Sequence, residues 1–230
     1  MAELNCGFEL GRPGVTVATT DPGDGDAWDT ISIAANGTCI YDTIHTARGA
    51  YSCKIATGAT AAGVTLRWDT KFGTQTDHDG RLYCFFTANP GSTLVLIDAR
   101  TASARGAGVQ LLSTGKLATL DSAGTVQTFT NSVGLNAEFR IEYHFIHSTT
   151  VGQVEVKLFN TATSSTPTET QTSAANRNTL ASVDRILFGM NSSVANAGPF
   201  WIDSIRAAAT AYPGPAPAGF SRGLLGRVGR

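Results

Sequence analysis

Charged residues are scarce in this chain of 230 residues, of which they make up 15%. Only four residues are lysines and six are glutamates, and because both types favour helices, long helices are not expected. The formal net charge of −1 gives no electrostatic reason to expect a nucleic-acid partner. No apolar run approaches the ~18 residues of a membrane-spanning helix, so no membrane partner is expected either.

Cysteines are also few, and none of the four occurs in a C-x-x-C pair, so the usual zinc and redox motifs are missing. Cys39, Cys53 and Cys84 lie in apolar runs typical of strands. A buried free thiol is the usual state of such a residue. A bridge between Cys39 and Cys53 stays open as an alternative if their strands are neighbours.

The sequence has no recognisable arrangement of catalytic residues. Glycoside hydrolysis needs two carboxyl groups about 5 to 10 Å apart. Glu138 and Glu142 are four positions apart on one predicted strand, which separates them by about 13 Å. Arg140 lies between them as an ion-pair partner, so we interpret the three residues as a solvated charged stripe. The sequence therefore predicts that the protein is not an enzyme.

What the sequence does contain is a strong two-residue period. In 138–144, polar residues alternate with apolar ones such as Phe139 and Ile141, a pattern typical of a half-buried strand. The segment 154–158 repeats it, and apolar runs such as 82–86 fit strands of an inner layer. Twenty-five glycines and eight prolines provide turns between the strands. We predict an all-β fold of two antiparallel sheets that stack as a sandwich.

The C-terminal segment has a different composition. From Tyr212 it begins with a proline-rich spacer that favours extended backbone, and arginines without acids follow. We divide the chain into a sandwich domain at 1–211 and a short extended tail at 212–230, which is either frayed or a docking peptide for a neighbouring subunit. The docking residues predicted in this tail are Phe220, Arg222, Leu224, Leu225, Arg227 and Arg230.

Three motifs carry a family resemblance. The run N-C-G-F-E-L-G at 5–11 resembles the opening strand of many jelly-roll carbohydrate-binding modules, and R-G-A-Y-S-C-K-I at 48–55 resembles the strand that follows. F-W-I-D-S-I-R at 200–206 resembles their closing strand. Between these motifs, the order of strands and glycine turns is similar to that of the laminin-G-like or concanavalin A-like sandwich. The resemblance implies a jelly roll of the type found in bacteriophage head and tail surface proteins.

The resemblance also implies a structural calcium ion. In modules with these motifs, the glutamate of the opening strand and an aspartate of the closing strand lie near a calcium that ties the termini together. Glu9 and Asp203 occupy these positions here, although Ser204 stands where the family has a second aspartate. In the alternative, Glu9 caps backbone amides and Asp203 pairs with an arginine. No other cofactor is expected.

For a glycan site, the sequence offers one aromatic side chain and one polar turn. Trp28 lies in an acidic loop and is the best candidate for an exposed ring, since Trp68 is expected to point inward. Asp77, His78 and Asp79 are predicted to form a polar turn before an apolar strand. We predict that Trp28, Asp77, His78 and Asp79 bind the ligand. Acidic turns are also common where no ligand binds.

The function predicted from these features is structural. Sandwich hydrolases and lyases related to these modules carry E-x-D-x-x-E, Q-I-H or Y-x-K strands, and none of these motifs occurs here. We therefore expect a non-enzymatic bacteriophage virion protein, a head-decoration or minor tail protein that docks on other virion proteins and forms a homo-oligomer. The alternative is a carbohydrate-binding module for a host-surface or extracellular glycan. Because no secretory signal is recognisable, we expect synthesis in a host cytoplasm and a final location at the virion surface.

Overall fold

The computed structural model describes residues 3–9, 11–20, 25–60, 62–195 and 197–217. These residues form fifteen strands and no helix, which confirms the all-β prediction. The strands are β1 (Leu4–Cys6), β2 (Thr30–Ile33), β3 (Gly37–Asp42), β4 (Ser52–Thr57), β5 (Ala62–Trp68), β6 (Asp77–Phe86), β7 (Leu94–Arg100), β8 (Arg105–Leu111), β9 (Lys116–Leu120), β10 (Thr125–Ser132), β11 (Glu138–Ile146), β12 (Gln153–Phe159), β13 (Glu169–Thr172), β14 (Arg185–Val194) and β15 (Phe200–Ala209). In this part of the chain, nothing helical is long and apolar enough to cross a membrane.

The strands form two antiparallel sheets. The larger sheet has eight strands in the order β13-β12-β11-β6-β15-β4-β3, with β1 paired to β15 outside this path. The smaller sheet has seven strands in the order β10-β9-β8-β7-β14-β5-β2. Apolar residues of both sheets belong to one continuous core, so the sheets stack face to face as the predicted sandwich.

The two-residue period of β11 explains why this sheet has a distinct inner face. Phe139, Ile141 and Tyr143 point into the core and are fully buried there. Burying a large apolar side chain stabilises the fold by about 2 kcal/mol. A register shift of one residue would put charged side chains into the core, so the sequence specifies this pairing strongly.

The other face of β11 differs from its prediction. Arg140 is 1% exposed and Glu142 is 3% exposed, so the charged stripe is not solvated. Residues after β12 cover it, because the carbonyl oxygens of Ala162 and Ser164 accept hydrogen bonds from the Arg140 guanidinium. The interpretation as a solvated stripe is therefore wrong. Strand alternation shows which residues share a face, but it does not show whether another segment covers that face.

An aromatic cluster fills part of the core. Trp28 stacks on Trp68 with ring centroids 4.1 Å apart, and the edge of Phe188 packs against both rings. Trp28 is only 2% exposed. The prediction of Trp28 as an exposed platform is therefore wrong, since its ring enters the core although its loop is acidic. A ring buried in this way offers no face to a sugar.

Candidate functional site

The outer face of the larger sheet, which we call the charged face, collects ionisable side chains from neighbouring strands. They are Asp77, Asp79 and Arg81 of β6, Arg140, Glu142 and His144 of β11, Glu155 and Lys157 of β12, and Arg206 of β15. The register brings them together, because His144 lies opposite Asp79 on one side and Glu155 on the other. The intervening residues of β6, β11 and β12 face the core.

The centre of the charged face is a buried ion pair. Arg140 Nε lies 2.8 Å from Glu142 Oε1, and the Arg140 guanidinium stacks over the Phe159 ring at 3.8 Å from its centroid. Burial raises the pKa of Glu142, and the charges of Arg140 and Arg81 oppose this effect. The pair is therefore a fixed element of the face, held beneath the residues that follow β12.

The segment 212–217, which we call the strap, crosses the charged face next to this pair. Arg81 Nη1 donates to the Gly214 carbonyl oxygen at 2.7 Å, and Arg48 Nε donates to the Ala216 carbonyl oxygen at 2.9 Å. The Ala216 amide donates to the Tyr83 hydroxyl at 2.8 Å. The strap thus lies in hydrogen-bonding contact with two arginines and a tyrosine of the domain.

An acid–base group lies at one end of the face, where the strap begins. His144 Nε2 lies 2.7 Å from Asp77 Oδ1. Asp79 is the cross-strand partner of His144, and burial raises its pKa to about 6. The Tyr212 hydroxyl donates to Glu155 Oε1 at 2.5 Å, and its ring centroid lies 6.2 Å from that of His144. A base candidate and a carboxyl group that keeps its proton in mildly acidic solution therefore lie side by side.

Aromatic side chains lie at the opposite end of the face. The His45 ring stacks on Phe85 with centroids 3.6 Å apart, and Trp201 packs edge-on against His45. Lys54 Nζ lies 5.5 Å from the centroid of the Trp201 ring. These rings form an aromatic end of the charged face.

A cleft of about 320 Å³ opens where the strap meets the end of β15. It is lined by Glu3, Arg206, Ala208, Ala209, Thr210, Ala211, Tyr212 and Pro213. Its volume is at the lower end of the range for small-ligand sites. The charged face is therefore covered at its centre and open at this margin.

The predicted ligand-binding set does not form one site. Asp77, His78 and Asp79 lie in β6 rather than in a turn, so their side chains alternate between the two faces of the sheet. His78 is 1% exposed in the core, with Nε2 3.2 Å from His147 Nε2. His78 and Trp28 both lie in the core and not at exposed positions, and ligand binding by them stays a prediction. Asp77 and Asp79 lie on the charged face, and ligand binding by them stays a prediction.

The predicted calcium residues both hold the loop that leads into β4. Glu9 accepts from the amides of Ala50 and Tyr51, and Asp203 accepts from the amide of Arg48. Burial, and then the charge of Glu9, raises the pKa of Asp203 well above its ordinary value. Among the described residues no group of three or more His, Cys, Asp and Glu side chains converges. Two carboxylates are fewer than the six to eight oxygens that calcium takes, so backbone carbonyls would have to complete a shell.

The alternative roles for these two residues can be compared with the contacts. Glu9 caps backbone amides, as the alternative stated. Asp203 contacts the backbone of an arginine and not its guanidinium. The described residues therefore fit amide capping better than a carboxylate cage, and calcium at this position stays a prediction.

The predicted docking residues lie outside the described part of the chain. They are Phe220, Arg222, Leu224, Leu225, Arg227 and Arg230. The division into a domain at 1–211 and a tail at 212–230 stays a prediction. What the structure adds is the contact between the charged face and 212–217.

Sequence reasoning missed the roles of four residues, Arg81, Tyr83 and His144 on the charged face and Tyr212 in the strap. One signal was present, since Asp79, Arg81 and Tyr83 alternate with apolar residues in the run from 79 to 84. Applying the two-residue period to this run would have placed them on one face. Tyr212 and Glu155 are 57 residues apart in the sequence, so no local sequence pattern could have predicted their contact.

Comparison with known proteins shows what the fold is. No protein-family model and no curated protein matches the sequence. A glucuronan lyase from the fungus Trichoderma reesei matches with a TM-score of 0.61 and 10% identity, over 80% of this chain and 91% of that one. The cellulose-induced protein Cip1 matches with a TM-score of 0.60 and 18% identity, over 90% and 97%. The alginate lyase Aly36B matches with a TM-score of 0.57 and 8% identity, over 90% and 97%.

This chain has the concanavalin A-like jelly-roll fold. The interpretation as a virion structural protein is wrong, because these neighbours are two polysaccharide lyases and a cellulose-induced protein. The expectation that the chain is not an enzyme is corrected by the same finding, since the fold is one on which lyases are built. Virion partners and a homo-oligomer have no support. The virion-surface location depended on the same interpretation and stays an untested prediction.

Proposed function

We propose that this protein binds an acidic polysaccharide on the charged face. The observation that carries the proposal is the bonding of Arg48 and Arg81. Both donate to backbone carbonyls of the strap, and neither belongs to an ion pair among the described residues. Guanidinium groups bind carboxylates more strongly than neutral carbonyls. A polysaccharide that carries carboxylates could therefore bind these two cations in place of the neutral carbonyls of the strap.

The electrostatics of Arg81 support this proposal. Burial, together with the nearby charges of Arg206 and Arg140, lowers its pKa to about 10, although Tyr83 and Glu142 act in the opposite direction. Arg81 is still charged at neutral pH, but its charge is incompletely compensated. Binding a carboxylate there would relieve the repulsion between the arginines.

The neighbouring structures and the aromatic end also support a glycan ligand. Two of the neighbouring structures are lyases named for glucuronan and alginate. Both polymers are polysaccharides of uronic acids, so each sugar carries a carboxylate. Sugar rings pack on aromatic faces, and the partly exposed rings of His45 and Phe85 lie at one end of the same face. A chain along the face would contact both the arginines and these rings.

Binding of soluble polysaccharides to the full chain tests the proposal. The probes are polyglucuronate and alginate, with neutral xylan as the comparison, measured by calorimetry. Arg81→Met is expected to weaken binding of the acidic polymers by about tenfold, since a charged hydrogen bond is lost. Lys116→Met, on β9 of the smaller sheet, makes the same charge change and is expected to leave binding unchanged. Equal effects of both variants, or equal binding of xylan, would contradict an arginine-based site.

The pairing of His144 with Asp77 favours a second candidate function, cleavage of that polysaccharide by β-elimination. If Asp77 accepts the proton on Nε2, the other ring nitrogen of His144 is free to act as a base. It would remove the proton on the carbon next to the sugar carboxylate. A carbon–carbon double bond then forms as the bond to the glycosidic oxygen breaks, and Asp79 supplies a proton to the leaving oxygen. A guanidinium on the carboxylate would stabilise the charge that develops.

Ultraviolet absorbance of the conjugated double bond measures this reaction directly. The full chain is expected to raise the absorbance of a polyglucuronate or alginate solution. His144→Gln is expected to lower the rate at least about a hundredfold with the affinity for the polymer unchanged, because a general base contributes that much. If the wild type binds both polymers and absorbance never rises, the protein binds without cleaving them by elimination.

A further inference from the structure

The strap occupies the part of the charged face that the proposed function assigns to the polysaccharide. Two carbonyl oxygens of the strap, on Gly214 and Ala216, accept hydrogen bonds from Arg81 and Arg48. The hydroxyl oxygen of Tyr83 also contacts the strap, because it accepts a hydrogen bond from the Ala216 amide. A carboxylated polysaccharide and the strap therefore compete for the same donors.

At its beginning the strap also contacts the acid–base group. The Tyr212 hydroxyl donates to Glu155 at 2.5 Å, and Lys157 Nζ lies 3.3 Å from the centroid of the Tyr212 ring. The ring packs edge-on toward His144. The strap thus makes contact with both the cationic and the acid–base part of the face.

The composition of the strap suits a reversible contact. Its sequence is Tyr-Pro-Gly-Pro-Ala-Pro, and prolines favour the extended backbone that lets carbonyl groups point at the sheet. Ala216 is buried, against Tyr83 and Ala162, whereas the prolines are at least partly exposed. A segment with so little buried apolar surface is held mainly by its polar contacts. Those contacts are the ones that a polysaccharide carboxylate would replace with stronger ones.

We propose that the strap is an autoinhibitory segment that must leave the charged face before an acidic polysaccharide can bind. This proposal rests on the proposed function, because it concerns access to the same site. The carbonyl oxygens of Gly214 and Ala216 stand where carboxylate oxygens of the ligand bind. Occupancy by the strap lowers the apparent affinity by the fraction of molecules in which the face is open.

Two matched truncations test the strap with polyglucuronate as the probe. A chain that ends at Ala211 lacks the strap, and a chain that ends at Pro217 keeps it but lacks the remaining C-terminal residues. The first is expected to bind at least about tenfold more tightly than the full chain, and the second is expected to bind like the full chain. Equal affinity of all three chains overturns the proposal. Equal tightening in both truncations also overturns it, because it assigns the effect to residues after 217.

Hydrogen exchange of the full chain tests the same point without a truncation. The Ala216 amide donates to Tyr83, so it is expected to exchange slowly in the free protein and at least about tenfold faster when polyglucuronate is bound. Slower exchange on binding would mean that the polymer lies over the strap, and it overturns the proposal. Amides of β9 serve as the internal control.

The outcomes separate this proposal from the proposed function. If the full chain and the Ala211 chain bind polyglucuronate equally and Arg81→Met weakens both, the binding site is correct and the strap proposal is wrong. If no chain binds polyglucuronate or alginate, the proposed function is wrong and the strap proposal is lost with it.

Discussion

The side chains of His78 and His147 share a hydrogen bond inside the sandwich, with their Nε2 atoms 3.2 Å apart. His147 Nδ1 lies 2.8 Å from the Thr179 carbonyl oxygen, which can only accept, so this nitrogen carries a proton. In the neutral rings His147 Nε2 then accepts, and His78 Nε2 donates. His78 Nδ1 is left as a buried acceptor with no partner among the described residues. Burial lowers the pKa of both histidines, so both are neutral in the folded protein.

This pair predicts that stability falls in mildly acidic solution. The histidines take up protons below about pH 6.5 in the unfolded chain, whereas their lowered pKa values keep them neutral in the fold. At these two sites the unfolded state therefore binds more protons, so the histidine contribution to the free energy of unfolding decreases as the pH falls. Between about pH 7 and about pH 5, His78 alone accounts for a loss of about 2 kcal/mol. Urea unfolding at several pH values measures this loss.

A double variant isolates the contribution of the histidines. Asp79 acts in the opposite direction, because its raised pKa of about 6 lets the fold take up a proton in the same range. In His78→Phe/His147→Asn, the asparagine keeps a donor for Thr179 and the phenylalanine fills the core. The difference in pH dependence between wild type and variant is the histidine contribution. Identical curves would show that the pair is not responsible.

The histidines and Arg140 also show how far the sequence predicts this structure. The period in 138–144 fixed the inner face of β11, because burial of Phe139 and Ile141 is a local consequence of alternation. The cover over Arg140 comes from residues 22 and 24 positions away, and alternation carries no information about it. The polar run D-H-D predicts a turn, but it is the start of β6, and the strand turns His78 toward the core. The charged face was missed because it forms only when strands distant in sequence pair.

Removing one partner of the buried Arg140–Glu142 pair is expected to be costly. Arg140→Met leaves the Glu142 carboxylate buried without its ion pair, which is expected to lower the free energy of unfolding by about 3 to 5 kcal/mol at neutral pH. The raised pKa of Glu142 would rise further without the arginine, so the loss is expected to shrink as the solution is acidified. Urea unfolding of Arg140→Met and of Arg140→Met/Glu142→Gln measures both effects. A double variant no more stable than the single one at neutral pH would contradict this account.

The structure allows a prediction about the Cys39–Cys53 bridge, which the sequence left as an open alternative. Cys39 and Cys53 are fully buried on the neighbouring strands β3 and β4, and their Sγ atoms lie 3.1 Å apart. Burial, and then the contact with Cys39, raises the pKa of Cys53, so the folded reduced protein is expected to resist oxidation. Refolding in a glutathione redox buffer, in which thiolates form before burial, is expected to give a Cys39–Cys53 disulfide. Peptide mapping should then find Cys6 and Cys84 free, and four free thiols would contradict the prediction.

Calcium binding at Glu9 and Asp203 is tested by thermal melting with calcium and with a chelator. A cation between two acidic side chains would favour the ionised form of Asp203, which burial and Glu9 disfavour. If calcium binds, a hundredfold excess over its Kd is expected to stabilise the fold by about 2.7 kcal/mol and to raise Tm by several degrees. Asp203→Asn should abolish this increase, whereas Asp184→Asn, a half-exposed carboxylate on another loop, should keep it. The same Tm in calcium and in chelator would leave amide capping as the role of both residues, because a bound ion that stabilises only the folded state must shift the unfolding equilibrium.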